Sequence, residues 1–290
     1  MVRLKPLKML YSLLLLASVD VLASVDTEID KFISDMVSRH GFEATDRIQK
    51  GVDFWSEHLS TLERAEKIYG VPAEIIVAII GVETHYGRIT GNYRVMDALV
   101  TLGFHYPKRA DFFRGQLEQY LLLTREQEID PMSLKGSYAG AMGIPQFIPG
   151  SYRNYAADFD NDGKINIWTN PVDAIGSVAR YFSLHGWING DAVAEPAIFS
   201  GDKWKKSVNE GLQPDMTLEQ LATLDIKPAG SVNTGSMIKL VELEQTDGPE
   251  LWLGFHNFHV ITRYNHSALY AMAVYQLSQE IARRYHSDAS

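Results

Sequence analysis

Residues 73–80 form an almost unbroken apolar run, with Pro72 before it and Gly81 after it. Proline suits the first turn of a helix, and a helical segment with no polar face is buried on all sides. The rest of the chain is therefore expected to supply a helical body around it. Ile29, Phe32, Ile33, Met36 and Val37 follow helical spacing, and a second helical stretch runs towards Val71. Residues 109–128 carry Phe113, Leu117, Tyr120 and Leu121 on one face and stop at Asp130-Pro131. Residues 170–185 begin with Asn170 as cap, Pro171 in the first helical position and Asp173 in the first turn. That segment buries Ile175, Val178, Ala179 and Phe182 and ends at Gly186. The last helix, 267–284, repeats the pattern through Leu269, Met272, Ala273, Leu277 and Ile281.

Between residues 192 and 260 the character changes to Pro, Gly and short apolar runs at 237–241, 251–255 and 258–262, which read as strands. With 290 residues and 46% hydrophobic content, the chain can bury a sizeable core. The expected fold class is α+β, predominantly helical. The expected division is a helical domain over 24–190, a small β-containing subdomain over 191–262, and a C-terminal helix over 263–290 that returns to the first domain.

Charge and cysteine content narrow the partners. A net charge of −9 and a pI near 5.5, with no basic run interleaved with aromatics, argue against a nucleic-acid binder. The absence of cysteine excludes disulfides, thiolate metal sites, Cys nucleophiles and a lipidated N-terminal cysteine. Residues 1–23 read as a secretory signal peptide: Arg3, Lys5 and Lys8 precede an apolar stretch containing Leu13 to Leu16, and Val21-Leu22-Ala23 resembles a cleavage site. An uncleaved inner-membrane tether is the other reading, though the segment is short and Asp20 interrupts it. Cleavage removes three basic residues and one acid, so the exported chain is more acidic still.

Three stretches carry candidate chemistry. Glu83 follows the apolar run, near the helix C-terminus, where desolvation and the helix dipole both disfavour its ionised form. Its pKa is expected to rise into the range of a general acid, the environment a glycosidic acid needs. Alone, it reads first as an ordinary surface residue after a buried helix, and spacing does not overturn that. Asp158, Asp160 and Asp162, followed by Gly163 and Lys164, match a calcium loop at positions 1, 3, 5, 6 and 7. Position 12 is Thr169 rather than Glu, and Asp173 stands in reserve if the chain turns back on the ion; the alternative is an Asx-rich turn without metal. Residues 135–147 pack small residues around Ser137 and Gln146, which permits close backbone approach for a site or simply for packing. Asn265 and Ser267 offer polar groups or cap the last helix. Tyr181 lies one residue off its helix's buried stripe, as an exposed ring or a sugar platform. His256, His259 and His266 show no ligand spacing and read as solvent-facing or locally bonded.

Taken together, these motifs resemble the membrane-bound lytic transglycosylase B family. They are Gly81-Val82-Glu83-Thr84 with Tyr86-Gly87-Arg88, Gly136-Ser137 with Ala139-Gly140-Ala141-Met142-Gly143, Pro145-Gln146-Phe147, the acidic loop, 173–182 and 262–275. The resemblance runs over residues 27–285 and carries little that is diagnostic from 191 to 249. It implies a lysozyme-like helical domain with a β-containing subdomain. It also implies cleavage of the β-1,4 bond between N-acetylmuramic acid and N-acetylglucosamine, giving 1,6-anhydromuramic acid. Carried over by motif, Glu83 is the acid/base, and Ser137, Gln146, Tyr181, Tyr264, Asn265 and Tyr270 are substrate or site contacts. Arg88 and Arg109 join them, Arg109 for the stem peptide. Asp158, Asp160, Asp162, the Lys164 carbonyl and Asp173 are the calcium ligands.

A single carboxylate suits that chemistry. An ordinary glycosidase needs a second one to activate water or attack the anomeric carbon, and no obvious partner follows Glu83. The substrate's own N-acetyl and C6 hydroxyl groups can replace it, with Ser137 or Asn265 orienting the N-acetyl group. The expected protein is a soluble periplasmic monomer acting on peptidoglycan glycan strands, with no cofactor for catalysis and a structural Ca2+. Two features depart from the family: the connection 168–171 is one residue longer, which bears on Asp173, and the lipobox cysteine is missing. The rival readings are a peptidoglycan-binding scaffold with an inactive site, a hydrolytic muramidase and a calcium-regulated interaction protein.

Overall fold

The computed structural model describes residues 42–208, 211–245 and 248–288. The signal segment 1–23 and the helix expected around 29–37 lie outside the described residues. The fold is α+β and mostly helical, in two compact units: residues up to Tyr181 together with those from Leu277 onward, and Phe182–Gln276. The second unit is longer than the β-containing segment expected over 191–262, because helices flanking the strands at both ends pack with them.

In the first unit, α1 (Phe42–Glu57) and α2 (Leu59–Tyr69) pack against α3 (Ala73–Thr84). Every residue of α3 from Ile75 to Val82 is buried, as the apolar run dictates. Pro72 stands at the N-cap with extended backbone, and the helix begins behind it. Next come α4 (Val95–His105), a 3-10 turn at Pro107–Arg109 and α5 (Ala110–Glu126), which doubles back on α4. The buried stripe of α5 is Phe113, Tyr120, Leu123 and Thr124, while Leu121, expected inside, is 46% exposed. Two short strands, β1 (Tyr93–Arg94) and β2 (Lys135–Gly136), pair antiparallel with Tyr93 opposite Gly136. The helix α6 (Pro149–Tyr155) and α7 (Pro171–Leu184), whose residues up to Tyr181 belong here, follow. The final helix α10 (Ala268–Asp288) returns through Leu277: Trp55 stacks on Tyr285 at 4.5 Å, and Gly51 leaves room for Ile281. Leu269, expected in its buried stripe, is exposed, whereas Met272, Ala273, Leu277 and Ile281 are buried.

The second unit is built on an antiparallel sheet in the order β4 (Ile226–Pro228), β3 (Ala194–Phe199), β6 (Gly248–Gly254), β5 (Lys239–Gln245). Pro196, which lacks an N–H, sits where β3 changes partner from β6 to β4, so no ladder bond is lost. The period of two sends Leu240 and Leu253 into a core with Trp204, Leu221, Ile226, Ile238 and Phe255. On the other face Val241 pairs with Trp252, whose ring meets Tyr275 edge-on at 6.2 Å. The helix α8 (Leu218–Thr223) has a capping box in which Thr217 and Gln220 satisfy each other's backbone N–H groups. Residues 258–262, expected as a strand, form α9 (His256–Tyr264) instead. A short continuous apolar run has no period to tell strand from helix, and here polar His256 and Arg263 fall on the open side of a turn that buries Asn257, Phe258, Val260 and Ile261. Among the described residues no helix is long and apolar enough to cross a membrane.

Candidate active site

Glu83 is half-buried in the last turn of α3. Behind it His85 (φ 52), Tyr86 (φ 61) and Gly87 (φ 81) are all left-handed, which turns the chain sharply back. Left-handed backbone costs an ordinary residue about 1–2 kcal/mol, and local contacts offset it. The Tyr86 hydroxyl donates to the Arg47 carbonyl at 2.8 Å, and the Arg47 guanidinium donates to the Gly81 carbonyl. The ring lies directly on Gly81, where a Cβ would come within 2.5 Å of the Tyr86 oxygen. Gly81 makes room for this ring. Burial holds the Tyr86 phenol far above its usual pKa, so it stays a donor.

Thr84 joins this end to the small-residue segment. Its buried hydroxyl donates to the Ile144 carbonyl at 2.9 Å and accepts the Gly87 N–H at 3.0 Å. The Ile89 N–H bonds the Thr84 carbonyl at 2.9 Å. Gln146, left-handed at φ 50, donates from Nε2 to the Gly143 carbonyl at 2.9 Å and to the Thr90 carbonyl at 3.1 Å. Both amide hydrogens are thus committed to the fold, and Oε1 is left as the acceptor. Ser137 opens a turn closed by Gly140, and its Oγ accepts the Ala141 N–H at 3.0 Å. The accepting lone pairs serve the fold, so the Ser137 O–H proton is left to donate. Glycine is required around it: a Cβ on Gly136 would lie 2.1 Å from the Ala141 carbonyl oxygen, and one on Gly143 (φ 68) 2.5 Å from that of Ile167. Glu83, Ser137 and Gln146 therefore share one hydrogen-bonded rim of the first unit.

The other candidates are distributed differently. Tyr181 was expected as an exposed ring, but only 7% of it is accessible. It is packed between Tyr155, edge-on at 4.9 Å, and Phe147 at 5.7 Å, because the stripe of α7 is wide enough to include it. Arg88 is exposed beyond Gly87, and Arg109 is exposed with its guanidinium 4.3 Å over the Phe112 ring. Tyr264, Asn265 and Tyr270 belong to the second unit. There Tyr264 packs on Phe182 at 5.6 Å, Asn265 ends α9, and Tyr270 is buried with its N–H on the Ser267 hydroxyl. Ser267 thus caps α10 as expected. His256 and His259 are bonded to the Gly186 and Leu212 carbonyls. A groove of about 750 Å³ in this unit is lined by Asp191, Glu195, Met237 and His256 among others, and by none of the candidates. Thr84 and Tyr86, which hold the rim together, were not singled out in the sequence. A buried β-branched hydroxyl one residue after the acid was the available signal.

Asp158, Asp160 and Asp162 converge, with one oxygen from each lying within 4.8 Å of the others. Phe159 anchors the loop: its ring fills the space above Gly176 and lies 4.1 Å under the Arg64 guanidinium, which also donates to its carbonyl. The Asn170 amide donates to Asp160 at 2.8 Å and holds its pKa below the usual carboxylate range. Asp173 was the remaining expected ligand. It is fully buried and outside the converging group, with one oxygen accepting the Phe159 N–H and the other the Asn166 N–H, each at 2.7 Å. Asp173 thus ties the two ends of the loop together. Burial pushes its pKa up against those two bonds. Beyond the loop, the Ile167 carbonyl accepts the Ile144 N–H at 2.8 Å, so loop and rim meet at one backbone bond.

Residues 23–279 match the family described as transglycosylase SLT domain. The chain is 48% identical over 244 residues to the membrane-bound lytic murein transglycosylase B of Escherichia coli (strain K12), an alignment covering 84% of this chain and 66% of that protein. It is similar to the X-ray structure of the catenated lytic transglycosylase SltB1 from Pseudomonas aeruginosa, with a TM-score of 0.80 and 56% identity over 83% of this chain and 79% of that one. It is also similar to the Escherichia coli lytic transglycosylase Slt35 in complex with calcium, with a TM-score of 0.78 and 42% identity over 88% and 93% of the two chains.

Proposed function

The chain belongs to the transglycosylase SLT domain family, and from that premise we propose that it is a lytic murein transglycosylase with Glu83 as its one acid/base. The observation that carries this reading is the rim itself. Glu83 is the only ionisable side chain in the last turn of a buried helix, and the same hydrogen-bonded rim offers the Ser137 hydroxyl and the Gln146 Oε1. In the proposed reaction Glu83 protonates the oxygen linking N-acetylmuramic acid to N-acetylglucosamine, and the C1–O bond breaks. The N-acetyl carbonyl oxygen of the muramic acid bonds to C1, with the Ser137 O–H placed to orient the group. The Glu83 carboxylate then takes the proton of the C6 hydroxyl. O6 attacks C1, the N-acetyl oxygen leaves, and the 1,6-anhydro ring closes with Glu83 reprotonated. A partly desolvated carboxylate is suited to both proton transfers, and intramolecular attack gains from proximity.

We assign Ca2+ to the acidic loop. Three carboxylates this close repel one another without a cation, and an all-oxygen donor set of Asp158, Asp160, Asp162 and the Lys164 carbonyl fits a hard ion. When bound, calcium would offset most of that charge, while Asp173 holds the loop ends from behind. A peptidoglycan substrate and the signal-like residues 1–23 support a periplasmic location.

Mass spectrometry of the muropeptides released from purified sacculi tests the function. Wild type is expected to release anhydro-ended products, and Glu83→Gln none, at unchanged melting temperature. Reducing ends from the wild type would establish a hydrolytic muramidase, and no soluble product from it a binding scaffold.

A further inference from the structure

Two rings on the rim are not explained by packing. Tyr93 is 62% exposed and Tyr138 43% exposed, and neither side chain makes a hydrogen bond or a ring contact among the described residues. In an antiparallel pair an aromatic is ordinarily covered by the side chain opposite it, but the residue opposite Tyr93 is Gly136. Gly136 cannot carry a side chain, because its Cβ would fall 2.1 Å from the Ala141 carbonyl oxygen. The glycine that leaves Tyr93 bare is the one that lets the Ser137 turn form. Gly91, two residues before Tyr93, lies against the same backbone: its Cβ would meet the Gly136 carbonyl oxygen at 2.1 Å and the Ser137 nitrogen at 2.5 Å. Tyr138 directly follows Ser137 in that turn. Tyr93, across the strand pair from Gly136, and Tyr138, next after Ser137 in the chain, thus border the Ser137 turn on backbone too tightly packed to shield either ring.

A pyranose ring has an apolar C–H face and a polar edge of hydroxyl groups. A tyrosine has the matching form, an apolar body and a polar tip. We infer that Tyr93 and Tyr138 form an outer saccharide-binding face, on which glycan sugars beyond the four centred on the cleaved bond stack. The inference rests on the transglycosylase reading and adds to it: these residues bind and position the strand and take no part in proton transfer.

The test compares long glycan strands with a tetrasaccharide of two repeats, using wild type, Tyr93→Ala, Tyr138→Ala, the double alanine variant and the two single tryptophan variants. Because both rings are exposed, melting temperatures stay at the wild-type value. Each alanine is expected to raise KM for long strands about threefold to tenfold, with kcat and the tetrasaccharide kinetics unchanged and tryptophan near wild type. The inference is overturned if the double alanine variant keeps the wild-type KM, if the tetrasaccharide is affected equally, or if tryptophan is as impaired as alanine. Co-sedimentation with sacculi separates this outcome from failure of the transglycosylase reading. A wild type that releases no anhydro product still has to lose binding in the double variant for the saccharide face to stand.

Discussion

Gly143 and Gly163 hold the same left-handed backbone, at φ 68 and 87, in opposite surroundings. A Cβ on Gly143 would lie 2.5 Å from the Ile167 carbonyl oxygen, whereas nothing lies within 4 Å of one on Gly163. The rim beside Glu83 is therefore fixed from outside, by backbone pressed against backbone. The acidic loop is fixed from within, by aspartates that accept its own N–H groups: Asp158 those of Asp162 and Gly163, and Asp162 that of Lys164. A turn of the first kind holds a side chain still for chemistry. A turn of the second kind leaves its oxygens grouped for an ion.

Gly143→Ala should have the largest effect on this contrast. Left-handed strain and overpacking together predict a loss of about 2–5 kcal/mol in denaturant unfolding, along with product formation. A loss no greater than at Gly163 would erase the distinction. Thr84→Val comes next, since it strands the Gly87 N–H and the Ile144 carbonyl at a cost of about 1–3 kcal/mol. If the rim positions Glu83, turnover falls by roughly tenfold to a hundredfold, while any rise in melting temperature with calcium persists. Gly163→Ala meets open space and should cost about 1–2 kcal/mol from its φ alone, with turnover spared. On the same loop, Asp160→Asn combined with Asp162→Asn should abolish a calcium-induced rise in melting temperature, and a rise that survives would place the ion elsewhere.

The smallest effect is one of pH on the packed side. Burial, then Arg47 and Lys50, hold the His85 pKa below its ordinary 6.5. As pH falls through 6.5 the unfolded chain takes up this proton before the folded one, so stability declines until the folded pKa is passed. His85→Asn, which keeps a side chain tolerant of left-handed backbone, should flatten that decline in melting temperature between about pH 7 and 5. An unchanged slope would assign the decline to the other buried histidines, His58 and His259, whose pKa values burial also lowers.

The readable parts of the sequence were those with local causes. The buried helix α3 follows from its apolar run, α7 from its cap and Pro171, and the aspartate cluster from alternate spacing before a glycine. The helix α4 carries no clean stripe: Val95, Ala98 and Leu99 are buried, yet Val100 and Phe104 are exposed, so periodicity is silent there. The run 258–262 had no period to separate helix from strand. The rim bonds join residues 60 and 56 positions apart, Thr84 to Ile144 and Gln146 to Thr90, and no local pattern reports such a pairing. Asp173 illustrates the same limit, since its type and position were legible but not that both its oxygens would be spent on backbone.

The return of the chain to the first unit also sets an order of events. Trp55 stacks on Tyr285, and Ile281 fills the space at Gly51, so contacts that close α1 are made by residues synthesised more than two hundred positions later. Contacts of such long separation form slowly, and N-terminal segments otherwise fold as they emerge. The helix that covers Trp55 cannot do so until translation is nearly complete. Until then the Trp55 ring on α1 lacks the Tyr285 ring that stacks on it.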